Sequence, residues 1–327
     1  MRKIKLIGEG LSVCWFASSS VFATWDGRIV QLWTNEGAEI DRFRFIKLYR
    51  IGRHPKEDIM AFGGSMIEGE KSGYLISSVG EIIGIIKPYF EWSVDGEQII
   101  GFDKGSDKKE IVIWNYSNLR ISEGKTIGLK KRVRQLSWGF DKDHAVILSE
   151  ADNRAYIISL LDGKTKGDLR VKGEISQVVW SPYDNLIAIG SDVGDFRIFE
   201  ITITEKRKLR KKEVFRKSFN KPVALIKWCS SNQLLLRIGL EVCLLNLSSG
   251  ELVKYGEGKV FDITPDLNYL AIGYNNEVKV YGAISQEVRK RVPLNGVVKD
   301  LEFSPDGEYL AIASTDYQIR LLESSEF

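Results

Sequence analysis

The sequence predicts an all-β fold built from about eight four-stranded units, and three observations carry that prediction. One pattern recurs along nearly the whole chain, short runs of β-branched and aromatic residues fill each copy, and no stretch reads as a long helix. The last copy shows the pattern most clearly. Residues 301–323, "LEFSPDGEYLAIASTDYQIRLLE", run as a strand, the turn Ser304-Pro305-Asp306-Gly307, a second strand, a polar loop at Thr315-Asp316 and a third strand. A lone three-stranded sheet leaves an apolar face and two edges bare, so further copies and a fourth strand are required.

The copies are present. "VVWSPYDNLIAIGSDVGDFRIFE" (178–200) and "VFDITPDLNYLAIGYNNEVKVYG" (260–282) repeat the order closely, and weaker versions centre on Trp15, Tyr49, Trp92, Trp138 and Trp228. Markers at 15, 49, 92, 138, 180, 228, 262 and 303 are spaced about 41 residues apart on average. The fourth strands are assigned to "AEIDRFRF", "EIIGIIK", "LRISEG", "GDLRV", "KEVFRKSF", "ELVKYG" and "QEVRKRV", most of them charged as outer strands should be. The final unit has no fourth strand of its own, and the chain opens with "RKIKLI", a spare strand. Pairing Arg2–Ile7 with the last sheet covers that edge and closes the array. The expectation is a single closed β-propeller domain over residues 1–327, with eight four-stranded blades and seven as the alternative. Neighbouring blades would bury residues such as Leu310, Ile312, Ile319 and Leu321 face to face.

On these residues the chain resembles the WD-repeat β-propeller family over almost its full length. "SPDGEYLAIASTDYQIRLLE" and "SPYDNLIAIGSDVGDFRIFE" match that family's turn, Ser/Thr-Asp loop and third strand. The departures are consistent too. No Gly-His pair opens a repeat, the single Trp-Asp pair, Trp25-Asp26, falls in a loop, and Trp33 and Trp114 are followed by Thr34 and Asn115. The resemblance implies a non-enzymatic platform that presents loops from several blades to another protein or complex.

Composition narrows the function. Forty-seven basic and 44 acidic side chains leave a net charge of +3, so bulk charge calls for neither nucleic acid nor an anionic membrane. Cys14, Cys229 and Cys243 sit in apolar runs and read as free thiols in a reducing, cytoplasmic setting. Met1-Arg2-Lys3-Ile4-Lys5 imitates the start of an export signal, but Gly8-Glu9-Gly10 interrupts it and cleavage after Ala23 would remove a repeat strand. No apolar run is long enough to span a bilayer.

Catalytic patterns do not emerge. Gly8-Glu9-Gly10 lacks the rest of a phosphate loop, and His54 and His144, far apart, give no metal-ligand spacing and read as loop or rim residues. The pairs Asp141/Asp143 and Asp192/Asp195 read as turn carboxylates. No catalytic, cofactor or metal residue is assigned. "LLDGKTKGDL" (160–169) reads as a two-strand turn.

One segment is out of balance. Residues 205–221, "EKRKLRKKEVFRKSFNK", carry nine Lys or Arg against Glu205 and Glu213. Clustered cations of this kind release counterions on meeting a polyanion. Lys206, Arg207, Lys208, Arg210, Lys211, Lys212, Arg216 and Lys217 are therefore the candidate contacts, on a hairpin between a third and a fourth strand. Lys130-Lys131-Arg132-Arg134 and Arg289-Lys290-Arg291 could extend a basic rim. The expected partner is another protein or multiprotein complex, with RNA or a ribonucleoprotein bound through the basic rim as the alternative. A phosphoinositide or anionic membrane surface is a lesser reading: Phe215-Arg216 match the Phe-Arg-Arg-Gly segment of phosphoinositide-binding propellers, while Lys217-Ser218 depart from it. By itself the propeller is expected to be monomeric.

Overall fold

Alternation of apolar and polar residues, punctuated by Gly, Asp, Asn and Ser, folds this chain into short antiparallel strands. The computed structural model describes residues 5–66, 71–104, 109–204 and 209–327, with side chains from residue 10 onward. The chain divides into two compact units, one formed by residues 1–88 with 255–327 and the other by residues 89–254.

The first unit begins with β1 (Lys5–Glu9), β2 (Ser12–Trp15), β3 (Val21–Trp25) and β4 (Ile29–Thr34). It continues through β5 (Glu39–Arg53), β6 (Ile59–Met66), β7 (Lys71–Ser77) and β8 (Ile82–Ile86). β5 is 15 residues long and serves two sheets. Its first half pairs with β4, from Ile29↔Arg44 to Trp33↔Glu39, and its second half pairs with β6, from Phe45↔Met66 to Arg53↔Met60. The seven connected strands β2–β8 are thus two four-stranded arrays that share one strand.

The second unit holds four sheets in simple up-and-down order. They are β9 (Tyr89–Trp92) to β12 (Arg120–Gly128) through β10 (Gln98–Phe102) and β11 (Glu110–Ser117), then β13 (Val133–Trp138), β14 (His144–Ser149), β15 (Ala155–Ser159) and β16 (Thr165–Leu169). Next come β17 (Ile175–Trp180), β18 (Leu186–Ser191), β19 (Asp195–Ile203) and β20 (Leu209–Ser218). The last are β21 (Val223–Trp228), β22 (Gln233–Ile238), β23 (Glu241–Asn246) and β24 (Leu252–Glu257), whose end passes the unit boundary.

The chain then returns to the first unit with β25 (Val260–Ile263), β26 (Tyr269–Tyr274), β27 (Glu277–Gly282) and β28 (Val288–Pro293). It finishes with β29 (Val298–Phe303), β30 (Tyr309–Ser314) and β31 (Gln318–Glu323). β1 pairs antiparallel with β31, from Lys5↔Leu321 to Glu9↔Gln318, and supplies the missing fourth strand. The sequence places that strand at Arg2–Ile7; it is found at Lys5–Glu9, and residues 2–4 lie outside the described residues. Counting β5 twice, the described residues form eight four-stranded arrays, as the spacing of the repeats predicts.

Second strands are covered on both faces, so they are apolar without alternation: β14 is buried throughout, and so is β30 apart from Tyr309. Their side chains fill clusters between adjacent sheets, such as Val146, Leu148 and Ile157 against Val178, Trp180 and Ile189. In the first unit Val280, Val292 and Leu294 pack with Phe303, Leu310 and Ile312.

First strands are tied together by a second device. A polar side chain on one first strand accepts a hydrogen bond from the backbone amide of the next one. Glu91 takes Trp138 N at 3.2 Å, Ser137 takes Trp180 N at 3.0 Å, and Gln177 takes Ile226 N at 2.6 Å. In the first unit Asp262 takes Phe303 N at 2.8 Å, Asp300 takes Val13 N at 3.2 Å, and Glu302 takes Trp15 N at 2.9 Å.

His54 lies in the loop between β5 and β6 and His144 is the first residue of β14, and both are buried, His54 to 2% and His144 to 7% exposure. His54 Nδ1 accepts from the amides of Lys56 and Glu57, and His144 Nδ1 lies 2.8 Å from Asp141 Oδ2. Each organises a turn from inside it, which is why its ring is buried although its sequence neighbours are polar. Asp195 departs from the sequence reading: it is a buried residue of β19, 3% exposed, and does not sit in a turn.

Candidate interaction surface

The fourth strand expected at residues 212–219 is present and begins three residues earlier, at Leu209, so more of the basic segment is outer strand than the sequence predicts. Residues 209–218 form β20, which pairs with β19 from Asp195↔Ser218 to Ile203↔Leu209 with a bulge at Ile198/Phe199. Lys206, Arg207 and Lys208 lie outside the described residues. A period of two within the charge run identifies the strand: Phe215 turns inward to stack edge-on against Phe196, with ring centres 6.1 Å apart, while Arg216 is exposed.

The remaining cations divide into two groups. One is anchored. Arg216 lies 3.6 Å from Asp195, Lys211 donates to the carbonyl of Asp168, and the Lys217 ammonium sits 5.9 Å from the Phe219 ring centre. Arg197 on β19 holds Asp195 at 2.8 Å and Glu213 at 3.2 Å. Burial works to raise the Asp195 carboxyl, but the hydrogen bonds from Arg197 and the Lys172 amide, with the two guanidinium charges, hold it below its ordinary value. The second group is Arg210 and Lys212, exposed and without an ion pair among the described residues. These are the cations a partner could use without first breaking an existing contact.

Gly194 sets the approach to this strand. Its φ of +83° suits glycine alone, and a Cβ there would stand 2.3 Å from the carbonyl oxygen of Phe219. The Phe219 amide bonds back to the Gly194 carbonyl at 2.9 Å, fixing where β20 ends. Beside β20 lies a cleft of about 420 Å³, lined by Val214 and Phe215 together with Asn185, Leu186, Leu247 and Ser248.

The run at residues 130–134 forms a separate basic cavity of about 530 Å³, lined by Lys109, Lys130, Lys131 and Arg132 with Glu150. Its lysines are not equivalent. Lys131 donates to Asp152 at 2.8 Å, and the Tyr156 hydroxyl donates to the same carboxylate at 2.6 Å. Those two hydrogen bonds, Lys131 first, pull the Asp152 pKa down to about 2, so the pair stays ionised. Arg134 is turned away to Glu174 at 2.7 Å. Arg291 pairs with Glu277 on the same sheet and Lys290 with Glu326 beyond β31, so the third basic run is largely neutralised by its neighbours.

The thiols are unremarkable as nucleophiles. All three cysteines are free, and burial, followed by the charge of Glu302 for Cys14 and of Glu241 for Cys243, pushes both thiols up, Cys243 to about 11. Among the described residues no helix is long and apolar enough to cross a membrane.

Comparison with known proteins agrees with this architecture. The family model "WD domain, G-beta repeat" matches residues 291–322, the stretch that contains the turn at Ser304 and the loop at Asp316. THO complex subunit 3 of Arabidopsis thaliana is 25% identical over 243 residues, which cover 69% of this chain and 72% of that protein. The solved C-terminal WD40 domain of Sif2 superposes with a TM-score of 0.73 at 15% identity, covering 98% of this chain and 97% of that one. With its repeated four-stranded sheets, its last sheet completed by the N-terminal strand, and these likenesses, the chain has the fold of the WD-repeat β-propellers and carries a WD repeat at residues 291–322.

Proposed function

We propose that the chain is a non-catalytic scaffold that docks into a multiprotein complex, working as one propeller domain over residues 1–327 in the cytoplasm. The reading further takes β20, with the cleft beside it, as the contact for an acidic partner protein. The likeness to a subunit of a named complex supports the first part. The second rests on one observation: an outer strand carries Arg210, Lys211, Lys212, Arg216 and Lys217 against Glu213 alone, and two of those cations are uncommitted. A surface of this kind speeds encounter with an acidic partner and selects against a basic one.

The test is reversal of charge at exposed positions. Arg210→Glu with Lys212→Glu leaves the fold intact, because exposed charges contribute little to stability. Crosslinking in a native lysate is then expected to lose the protein neighbours that the parent captures through β20. Retention of every neighbour refutes the contact. If RNA retention at low salt is lost instead, with a steep salt dependence in the parent, the surface serves nucleic acid and the protein reading fails.

A further inference from the structure

Outer strands of this fold are protected by charge, with one exception. β12, β16, β20, β24 and β28 all carry Lys, Arg, Asp or Glu within the strand. β8, "IIGII", carries none, and it is a sheet edge that pairs only with β7 among the described residues. Ile82 is 49% exposed and Ile85 is 61% exposed. An uncharged, apolar edge with free main-chain donors and acceptors is a template for another strand.

The sequence around this edge specifies which strand. Residues 81–87 read Glu-Ile-Ile-Gly-Ile-Ile-Lys, the same in both directions except that a negative charge at one end answers a positive charge at the other. Laid antiparallel on itself with Gly84 at the two-fold axis, the segment sets Ile82 against Ile86 and Ile83 against Ile85. Glu81 then falls opposite Lys87 at both ends. Gly84 at the centre leaves the pair on the axis without side chains, so the flanking isoleucine pairs are not crowded there. We propose that β8 pairs antiparallel with β8 of a second copy of this chain, forming a two-fold dimer that joins two four-stranded arrays edge to edge. Such an interface is isologous, as two-fold contacts must be.

The same geometry bounds its strength. The register of β8 against β7 shifts between Leu75 and Ile76, a bulge that leaves only a short regular stretch. A contact of one short strand falls well below the area of a permanent interface, so the dimer is weak and reversible. The inference stands apart from the scaffold reading and departs from the monomer expected from sequence.

Sedimentation equilibrium of the full chain over a wide concentration range tests it, with thermal unfolding of each variant as the check on folding. The parent is expected to show a concentration-dependent shift from monomer to dimer mass. Ile85→Lys, at an exposed position, is expected to fold normally and stay monomeric. Glu81→Lys and Lys87→Glu each set two like-charge pairs across the axis and are expected to weaken dimerisation about tenfold. The double variant restores both pairs with the signs exchanged, and so recovers the parent's dimerisation. A parent that stays monomeric at every concentration overturns the proposal. So does a dimer that survives Ile85→Lys, or single reversals that the double variant does not rescue.

Discussion

Asp300→Asn isolates the cost of an acidic group held between two first strands. The Asp300 carboxyl is pushed up to about 7, chiefly by burial and by the charges of Glu302 and Asp262, against the pull of the Val13 and Leu301 amides. A carboxyl that moves from 3.8 to about 7 on folding loses about 4 kcal/mol in its charged form. Asp300 retains some contact with water, so the working figure is about 2 kcal/mol. The sign follows from the direction. A raised folded-state value means the contribution is fully present below about pH 4 and is lost as pH rises through about 7. Asparagine keeps a carbonyl oxygen for the Val13 amide and has no proton to lose. Urea unfolding of both proteins from pH 4 to pH 8 is therefore expected to show the variant gaining on the parent as pH rises, then a constant gap above pH 7. A gap that does not change with pH, or that narrows as pH rises, refutes the assignment.

Two further expectations concern the frame. Trp180 is 2% exposed and its indole N–H has no hydrogen-bond partner, so Trp180→Ala should cost about 3–5 kcal/mol in chemical denaturation. Trp180→Phe should cost clearly less, because it removes the unpaired donor and keeps most of the packing. Removing residues 1–9 takes β1 from β31 and bares an edge. The truncated chain should melt at a markedly lower temperature and aggregate on heating, and an unchanged melting curve would show that β1 is dispensable.

The repeats were legible because a second strand covered on both faces must be apolar throughout, and the turns before and after it need Ser, Asp and Gly. Hence the strands near Trp180, Asp262 and Phe303 lie where the sequence puts them. β5 was harder. "AEIDRFRF" and the segment around Tyr49 read as two strands because one strand rarely serves two sheets, and no residue between them marks a break. The sequence places the start of the fourth strand at Lys212 and the structure places it at Leu209, since Lys and Arg on an exposed outer strand look like those of a loop. The inward turn of Phe215 was the available signal. The buried carboxylate could not be read at all. In "VKDLEF" Asp300 and Glu302 alternate with apolar residues as if they faced water, and only the neighbouring strand β2 shows that they face its amides. The candidate cations were visible in sequence, but which of them are already engaged depends on Asp195 and Asp168, distant in the chain.

The ties between first strands bear on how far such a chain can drift. In each, the donor is a main-chain N–H, supplied by any residue but proline, while the acceptor is variously Glu, Ser, Gln or Asp. Neighbouring sheets are thus kept in phase by a lock with one invariant half, and polar side chains of several lengths serve as the key. Selection is then free to erase the Trp-Asp and Gly-His signatures copy by copy while the phase between adjacent sheets is retained. A lineage built this way would lose its recognisable words long before its grammar; what residues 291–322 keep is the Ser/Thr-Asp loop, in which Ser314 and Asp316 hold Arg320 in place.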